Sequence, residues 1–145
     1  YDTLQSMLEA PAFQYDAKRP DLLKAFRRTI KDAPLPAPLS AKLDAMHQSF
    51  PSGTTPRCRS SANNEDLVGF TGAGLYDSYT HRADEGHIGT SIKQVWASLW
   101  NLRALNERDF YRIDHMTAAM GVLVHPNFDD ELVKADPVRI SPPAS

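Results

Sequence analysis

The chain has 145 residues, with 16 basic and 18 acidic side chains and a formal net charge of −2. This length suits one compact domain, and 41% hydrophobic with 23% charged residues is typical of a folded chain rather than a disordered one. The near-neutral charge argues against a surface built to neutralise the phosphates of duplex DNA, which requires a concentrated excess of lysine and arginine. We therefore expect no nucleic-acid partner.

The sequence also bears on the compartment in which the protein works. No apolar run approaches the roughly 18 residues that span a bilayer, and the N-terminus lacks the pattern of a signal peptide. Cys58 is the single cysteine, which excludes an internal disulfide. We expect a cytoplasmic protein without a membrane partner. The chain starts at Tyr1 and not at methionine, which is compatible with a processed protein or with an engineered or natural piece of a longer one.

The first fifty residues favour helices separated by proline. Apolar residues at helical spacing predict an amphipathic helix over 20–33, with a basic outer face. A second short helix is predicted from about Ser40 to Phe50. Three prolines between the helices, Pro34, Pro36 and Pro38, favour a stiff linker over a ligand for a proline-recognition domain.

The segment 56–80 has a different character, with few helix formers and three glycines within 69–74. Alternation over 57–61 predicts a short strand with Cys58 facing the core. The glycines supply backbone that can approach a ligand closely. Beside them, Arg59 and its neighbouring hydroxyls offer the charge-assisted donors that a polyphosphate needs. From composition alone, the favoured interpretation is an arginine held by Asp66 in a surface turn.

Helical periodicity is strongest after residue 90. Ser91 and Gln94 fit a capping box, and apolar residues at three- and four-residue spacing predict one long helix to about Asp114. Trp96 and Trp100 lie on its apolar side and are expected in or at the edge of the core. Residues 118–125 then predict a buried strand bounded by Pro126, and the rest is predicted to be loop.

The five histidines and the cysteine are the side chains that could bind a metal or act as a nucleophile. None of the five histidines stands in a spacing typical of a metal site, and His81 and His87 are expected to be solvated. Cys58 between two arginines is compatible with a cysteine hydrolase. A small buried side chain is the favoured interpretation of Cys58.

Three blocks of sequence together resemble a known family. They are Arg59 to Leu67, Gly69 to Gly72, and Val95 to Ala104. In order and spacing they are similar to the nucleotide-binding domain of the pyruvate phosphate dikinase and phosphoenolpyruvate synthase family, which is ATP-grasp-like. Glucan water dikinases and rifampin phosphotransferase are relatives of that family. The resemblance covers residues 57–125.

The resemblance implies an α+β fold that forms part of an ATP-grasp-like nucleotide-binding domain. A helical N-terminal segment over 1–55 would precede a nucleotide-binding subdomain over 56–128. In that subdomain a small sheet would pack on a long helix. An irregular tail would occupy 129–145.

The resemblance also implies six nucleotide-binding positions: Arg59, Ser60, Gly72, Tyr76, Arg103 and His125. Arg59 would contact ATP phosphates beneath the Gly72 loop, and Tyr76 takes a position where relatives often have a threonine that touches the nucleotide. Arg103 would contact a phosphate or form a structural ion pair. His125 lies at the adenine hinge, where glutamine is common. The catalytic residues are unknown, and no metal ligand is assigned.

The function implied by the resemblance is that of a fragment of an ATP-dependent, dikinase-type phosphotransferase. ATP and Mg²⁺ would be its cofactors, with the metal ligands and a phosphate-binding lysine outside this chain. Its partners would be the remainder of the parent enzyme, including phosphohistidine and acceptor domains. Alone, it is expected to be inactive. The alternative is a non-enzymatic interaction or regulatory module that retains the fold.

Overall fold

A computed structural model describes residues 1–14, 17–63 and 76–128. The predicted α+β class is confirmed, since the chain combines helices with a three-stranded antiparallel sheet. In chain order the elements are α1 (Asp2–Glu9), α2 (Arg19–Asp32), α3 (Ala37–Gln48), β1 (Thr54–Ala62), β2 (Tyr79–Thr80), α4 (Gly89–Ala97), α5 (Leu102–Phe110) and β3 (Met120–Phe128).

The sheet has the order β2-β1-β3, and both pairs are antiparallel. β1 pairs with β3 over its whole length, from Thr54 opposite Phe128 to Ala62 opposite Met120. A strand is therefore confirmed within the predicted range 118–125, but Pro126 does not end it, and the predicted burial is wrong, since Leu123 is 59% exposed. Pro126 lies opposite Pro56. Neither proline has an N–H group, and such a pair is tolerated at a position where the two strands exchange no hydrogen bond.

The helices predicted before residue 51 are confirmed. α2 places Leu23, which is fully buried, against the core. α3 begins at Ala37, three residues earlier than predicted. Pro38 lies in its first turn, where the missing N–H has no partner in any case. The proline-rich segment is thus a short connection between two packed helices.

The prediction of one long helix from residue 92 to 114 is wrong. α4 ends at Ala97, Ser98–Trp100 forms a 3-10 turn, and the extended backbone of Asn101 precedes α5. Two arginines bind the carbonyl groups that the break releases. Arg27 Nη1 donates to Trp100 O at 2.9 Å, and Arg108 Nη2 donates to Leu99 O at 2.6 Å. These tertiary hydrogen bonds replace the helical ones, and side-chain periodicity along the chain cannot reveal them.

The predicted capping box is also wrong, because α4 begins at Gly89 and Ser91 is already inside the helix. Ser91 is fully buried and lies 2.7 Å from His81 Nδ1 through its hydroxyl. His81 was expected to be solvated, but only 1% of it is exposed, and its Nε2 bonds Gly86 O at 2.9 Å. His87 is half-buried, and its Nε2 lies 3.0 Å from Ser40 O.

The apolar side chains form two buried clusters. The first joins the N-terminal helices to α5 and contains Leu23, Trp100 and Leu105. The second lies between the sheet and α4 and contains Cys58, Ile88, Ile92 and Val95. These four side chains are almost completely buried. Burial raises the pKa of the Cys58 thiol to about 11. The interior position predicted for Cys58 is confirmed, and the structure gives no support to a cysteine nucleophile.

Trp100 is buried and Trp96 is half-buried at the edge of the second cluster, as the sequence predicts. In the described part of the chain, no helix combines the length and apolar character needed to cross a membrane.

Candidate functional site

The two faces of the sheet differ in chemistry because successive side chains of a strand point to opposite sides. On the inner face, Cys58, Val122 and Val124 pack against α4. On the outer face, Arg57 lies opposite His125 and Arg59 lies opposite Leu123. The outer face therefore presents two arginines, two residues apart, next to an imidazole.

A cavity of about 270 Å³ opens on this outer face. Its walls come from β1, from β3 and from the residue just before β2: Arg57, Arg59, Ser78, His125 and Asn127. None of these five side chains is a carboxylate. With two guanidinium groups, a hydroxyl and an amide, the cavity is suited to an anion and unsuited to a bare cation.

Arg57 is oriented by the neighbouring strand. It is half-buried, and its Nη1 donates to Thr80 Oγ1 of β2 at 2.6 Å. Arg59 is exposed on the same face of β1. The fork of Arg57 is thus held in place by the sheet, while Arg59 can adjust to a ligand.

His125 has an unsatisfied ring nitrogen. Its Nδ1 lies 3.1 Å from Pro126 O, an arrangement in which Nδ1–H donates to the carbonyl. Nε2 then carries a lone pair, and it is buried without a hydrogen-bond partner in the described part of the chain. A buried polar atom in this state commonly marks a position that a ligand or water completes.

Five of the six predicted nucleotide-binding residues lie in the described part of the chain, and two of these five, Arg59 and His125, line the cavity. Ser60 is half-buried on β1 and, by alternation, shares the face of Cys58 and not that of Arg59. Tyr76 is buried in the first cluster, with its hydroxyl bound to Arg108. Arg103 is exposed on α5 and does not line the cavity. Gly72 lies outside the described residues. The nucleotide role of each remains a prediction.

Three residues of the cavity were not predicted as site residues. For Arg57 and Asn127 a signal existed, since each lies two positions from a predicted residue on the same strand and so on the same face. Ser78 had no such signal. It lines the cavity only because the following residues, Tyr79 and Thr80, pair with β1.

A larger cavity, of about 620 Å³, lies along the exposed side of α2 and is lined by residues of that helix alone, among them Lys24, Arg27 and Lys31. That cavity also contains the carboxylates of Asp21 and Asp32, which disfavour an anion, and its Arg27 already donates to Trp100 O. The smaller cavity on the sheet is therefore the candidate site.

No cluster of three or more histidine, cysteine, aspartate or glutamate side chains placed to hold a metal occurs within 1–14, 17–63 and 76–128.

Residues 7–132 match the family described as pyruvate phosphate dikinase, AMP/ATP-binding domain. A phosphoenolpyruvate synthase of Aeropyrum pernix is 46% identical over 66 residues, which cover 46% of this chain and 8% of that protein. A rifampicin phosphotransferase of a Streptomyces species is 31% identical over 121 residues, covering 81% of this chain and 14% of that protein.

A prodigiosin synthesizing transferase of Serratia marcescens is 35% identical over 78 residues, or 54% of this chain and 9% of that protein. The chain therefore spans only a small part of the length of each relative. Since the family match extends over most of the chain and includes every residue of the sheet cavity, this chain belongs to the pyruvate phosphate dikinase AMP/ATP-binding domain family.

Proposed function

We propose that the chain forms one wall of the ATP site of a longer, dikinase-type phosphotransferase. The observation that carries this proposal is the pair Arg57 and Arg59 beside the unsatisfied Nε2 of His125, within a chain of an AMP/ATP-binding family. The cavity is slightly below the range of about 300–1,000 Å³ that is usual for ligand pockets. This size suits one part of a nucleotide and is consistent with a second wall elsewhere in the parent protein.

The arginines would bind the phosphates. A guanidinium donates two parallel hydrogen bonds to a phosphate, and two such groups on one strand face can contact neighbouring phosphoryl groups. Thr80 already orients Arg57, so less side-chain freedom is lost on binding. Ser78, at the same cavity, adds a hydroxyl donor.

The base would lie toward β3. With Nδ1–H donating to Pro126 O, His125 Nε2 can accept a hydrogen bond from an exocyclic amino group such as that of adenine. Because Nε2 is buried, the side chains around it would have to move for the base to reach it.

In the parent, the proposed reaction moves phosphoryl groups from ATP to a protein histidine and then to an acceptor. Such catalysis consists mainly of positioning and charge neutralisation. Mg²⁺ would neutralise phosphate charge, with ligands outside the described residues. The role proposed for this chain is to orient ATP and offset its charge through Arg57 and Arg59, and not to perform the transfer alone.

Nucleotide titration of the full 145-residue chain tests the proposal. Amide chemical shifts should change on addition of ATP at β1, at Ser78 and at β3, with an affinity in the millimolar to micromolar range. Arg59→Gln and Arg57→Gln should each weaken binding about tenfold, the loss of one charge-assisted contact.

Arg28→Gln is the matched control, because Arg28 is an exposed arginine on α2 that pairs only with Asp32 among the described residues. It should bind ATP like the wild type. If ATP causes no shifts, or if both cavity variants retain wild-type affinity, the proposed ATP site is wrong. Absence of binding would favour the non-enzymatic module.

A further inference from the structure

Arg108 of α5 is a completely buried cation with an unusual set of partners. Its Nη1 donates to Tyr76 Oη at 3.2 Å, Nη2 to Leu99 O at 2.6 Å and Nε to His115 Nδ1 at 3.0 Å. None of these acceptors is a carboxylate. Buried charges are normally paired, since removing one from water is costly.

The negative charge that compensates Arg108 is the carboxylate of Asp109, which Arg108 reaches through His115. Because His115 Nδ1 accepts from Arg108, its proton is on Nε2, which donates to Asp109 Oδ1 at 2.6 Å. Arg19 Nη1 donates to the other oxygen of Asp109 at 3.1 Å. Burial lowers the pKa of His115, which favours the neutral ring that this arrangement requires.

An apolar side chain could fill the same volume without the cost of removing a charge from water. Packing alone therefore does not explain why this position is an arginine. Its planar fork joins three separate stretches of chain: the 3-10 turn at Leu99, the turn at His115 and the segment that begins at Tyr76. A guanidinium fixes directions that an apolar side chain leaves free.

The segment 76–80 is the part of this network that reaches the cavity. Tyr76 is held by Arg108, and the amide of Asp77 donates to Ser98 Oγ at 3.1 Å. Tyr79 and Thr80 pair with β1. Ser78 lies between these anchors and lines the cavity with Arg59.

We propose that Arg108 is a positioning residue for the nucleotide cavity: by holding the hydroxyl of Tyr76, it fixes the segment 76–80 and hence the position of Ser78 relative to Arg57 and Arg59. This inference rests on the proposed ATP site. It assigns to Tyr76 an indirect role, since its hydroxyl is directed at Arg108 within the core.

Tyr76→Phe and Arg108→Lys test this without removing a large side chain. Tyr76→Phe deletes one hydroxyl, and Arg108→Lys keeps the charge but loses the fork. Each should raise the Kd for ATP about tenfold at a temperature where urea unfolding shows the variant to be fully folded. Tyr111→Phe, which removes a hydroxyl from a more exposed tyrosine after α5, should leave the Kd unchanged.

A double-mutant cycle distinguishes positioning from a general loss of stability. If both residues act through one hydrogen bond, the Kd of the double variant for ATP should not exceed the higher of the two Kd values of the single variants. In the ligand-free Tyr76→Phe protein, the amide shifts of residues 76–80 should change more than those of β3.

Lower stability with an unchanged Kd in both variants would overturn the positioning role and leave the ATP site standing. Absence of ATP binding by the wild-type chain would overturn the proposed function and this inference together.

Discussion

Arg57 and His125 lie directly opposite each other on β1 and β3, and both line the cavity on the outer face of the sheet. A cross-strand pair of this kind has a fixed separation, because the backbone ladder sets it. Under the proposed function, this pair would place a guanidinium for the phosphates and an acceptor for the base on the same face of the sheet.

This geometry predicts how His125 affects base selection. The wild-type chain should bind ATP more tightly than ITP, because the base of ITP has no exocyclic amino group to donate to Nε2. In His125→Leu the ATP affinity should fall about tenfold and the ITP affinity should change little. His125→Gln, which retains an acceptor, should preserve most of the preference. Equal ATP-to-ITP ratios in the wild type and His125→Leu would contradict this role.

The second prediction concerns pH and His115. Burial is the main cause that lowers its pKa from the ordinary 6.5, and the guanidinium groups of Arg108 and Arg19 act in the same direction, while Asp109 opposes them. The unfolded chain therefore binds a proton at a higher pH than the folded chain does. The free energy of unfolding should decrease as the pH falls below about 6.5, by at most about 1.4 kcal/mol per pH unit from this group.

Urea unfolding between about pH 7.5 and about pH 5.5 measures this effect. His115→Asn keeps an acceptor for Arg108 but does not titrate, so its stability should depend less on pH. The stability of this variant should still depend on pH to some extent, because burial and the neighbouring His81 also lower the pKa of His47. An identical pH dependence in wild type and variant would show that His115 does not contribute.

The third prediction concerns the thiol of Cys58. Since the side chain is buried and its pKa is about 11, both access and thiolate fraction should be low at pH 8. Labelling with a disulfide reagent should proceed only as fast as the protein opens, and it should become rapid in urea above the unfolding midpoint. Rapid labelling of the native protein, at the rate of free cysteine, would contradict the buried position.

The fourth prediction concerns the first core cluster. Leu23 is fully buried between α2 and its neighbours, whereas Leu39 on α3 is 38% exposed. Leu23→Ala should lower the free energy of unfolding by about 2–5 kcal/mol, and Leu39→Ala by less than about 1 kcal/mol. Urea denaturation of both variants gives the comparison. Similar losses for the two would mean that α2 does not close the core.

Local sequence patterns predicted those helices and strands that can be recognised from their own residues, without knowledge of what they pack against. The apolar stripe of α2 and the alternation of β1 are properties of single elements, and both are confirmed. The break after Ala97 depends on Arg27 and Arg108, whose side chains bind the carbonyls of Leu99 and Trp100. Such contacts connect distant parts of the chain, and periodicity within one segment contains no information about them.

The candidate site likewise contains residues that the sequence could predict and residues that depend on contacts between distant parts of the chain. Arg59 was predicted from its neighbouring hydroxyls and glycines and from the family resemblance, and His125 from the resemblance alone; strand alternation would have added Arg57 and Asn127. Ser78 could not be predicted, because its position depends on the pairing of β2 with β1. The misassigned His81 has a similar cause, since the partners that bury it, Ser91 and Gly86, are set by the entry into α4.

The pairing of β1 with β3 also has a consequence for how the protein folds. Every residue pair of this ladder closes a chain segment that contains α4 and α5, and no tight hairpin joins the two strands. Contacts that close such long loops form late and slowly, because their entropic cost precedes any gain. The cavity on the sheet should therefore form later in folding than the local contacts within α2 and α4. On the ribosome it can assemble only after β3 has left the exit tunnel.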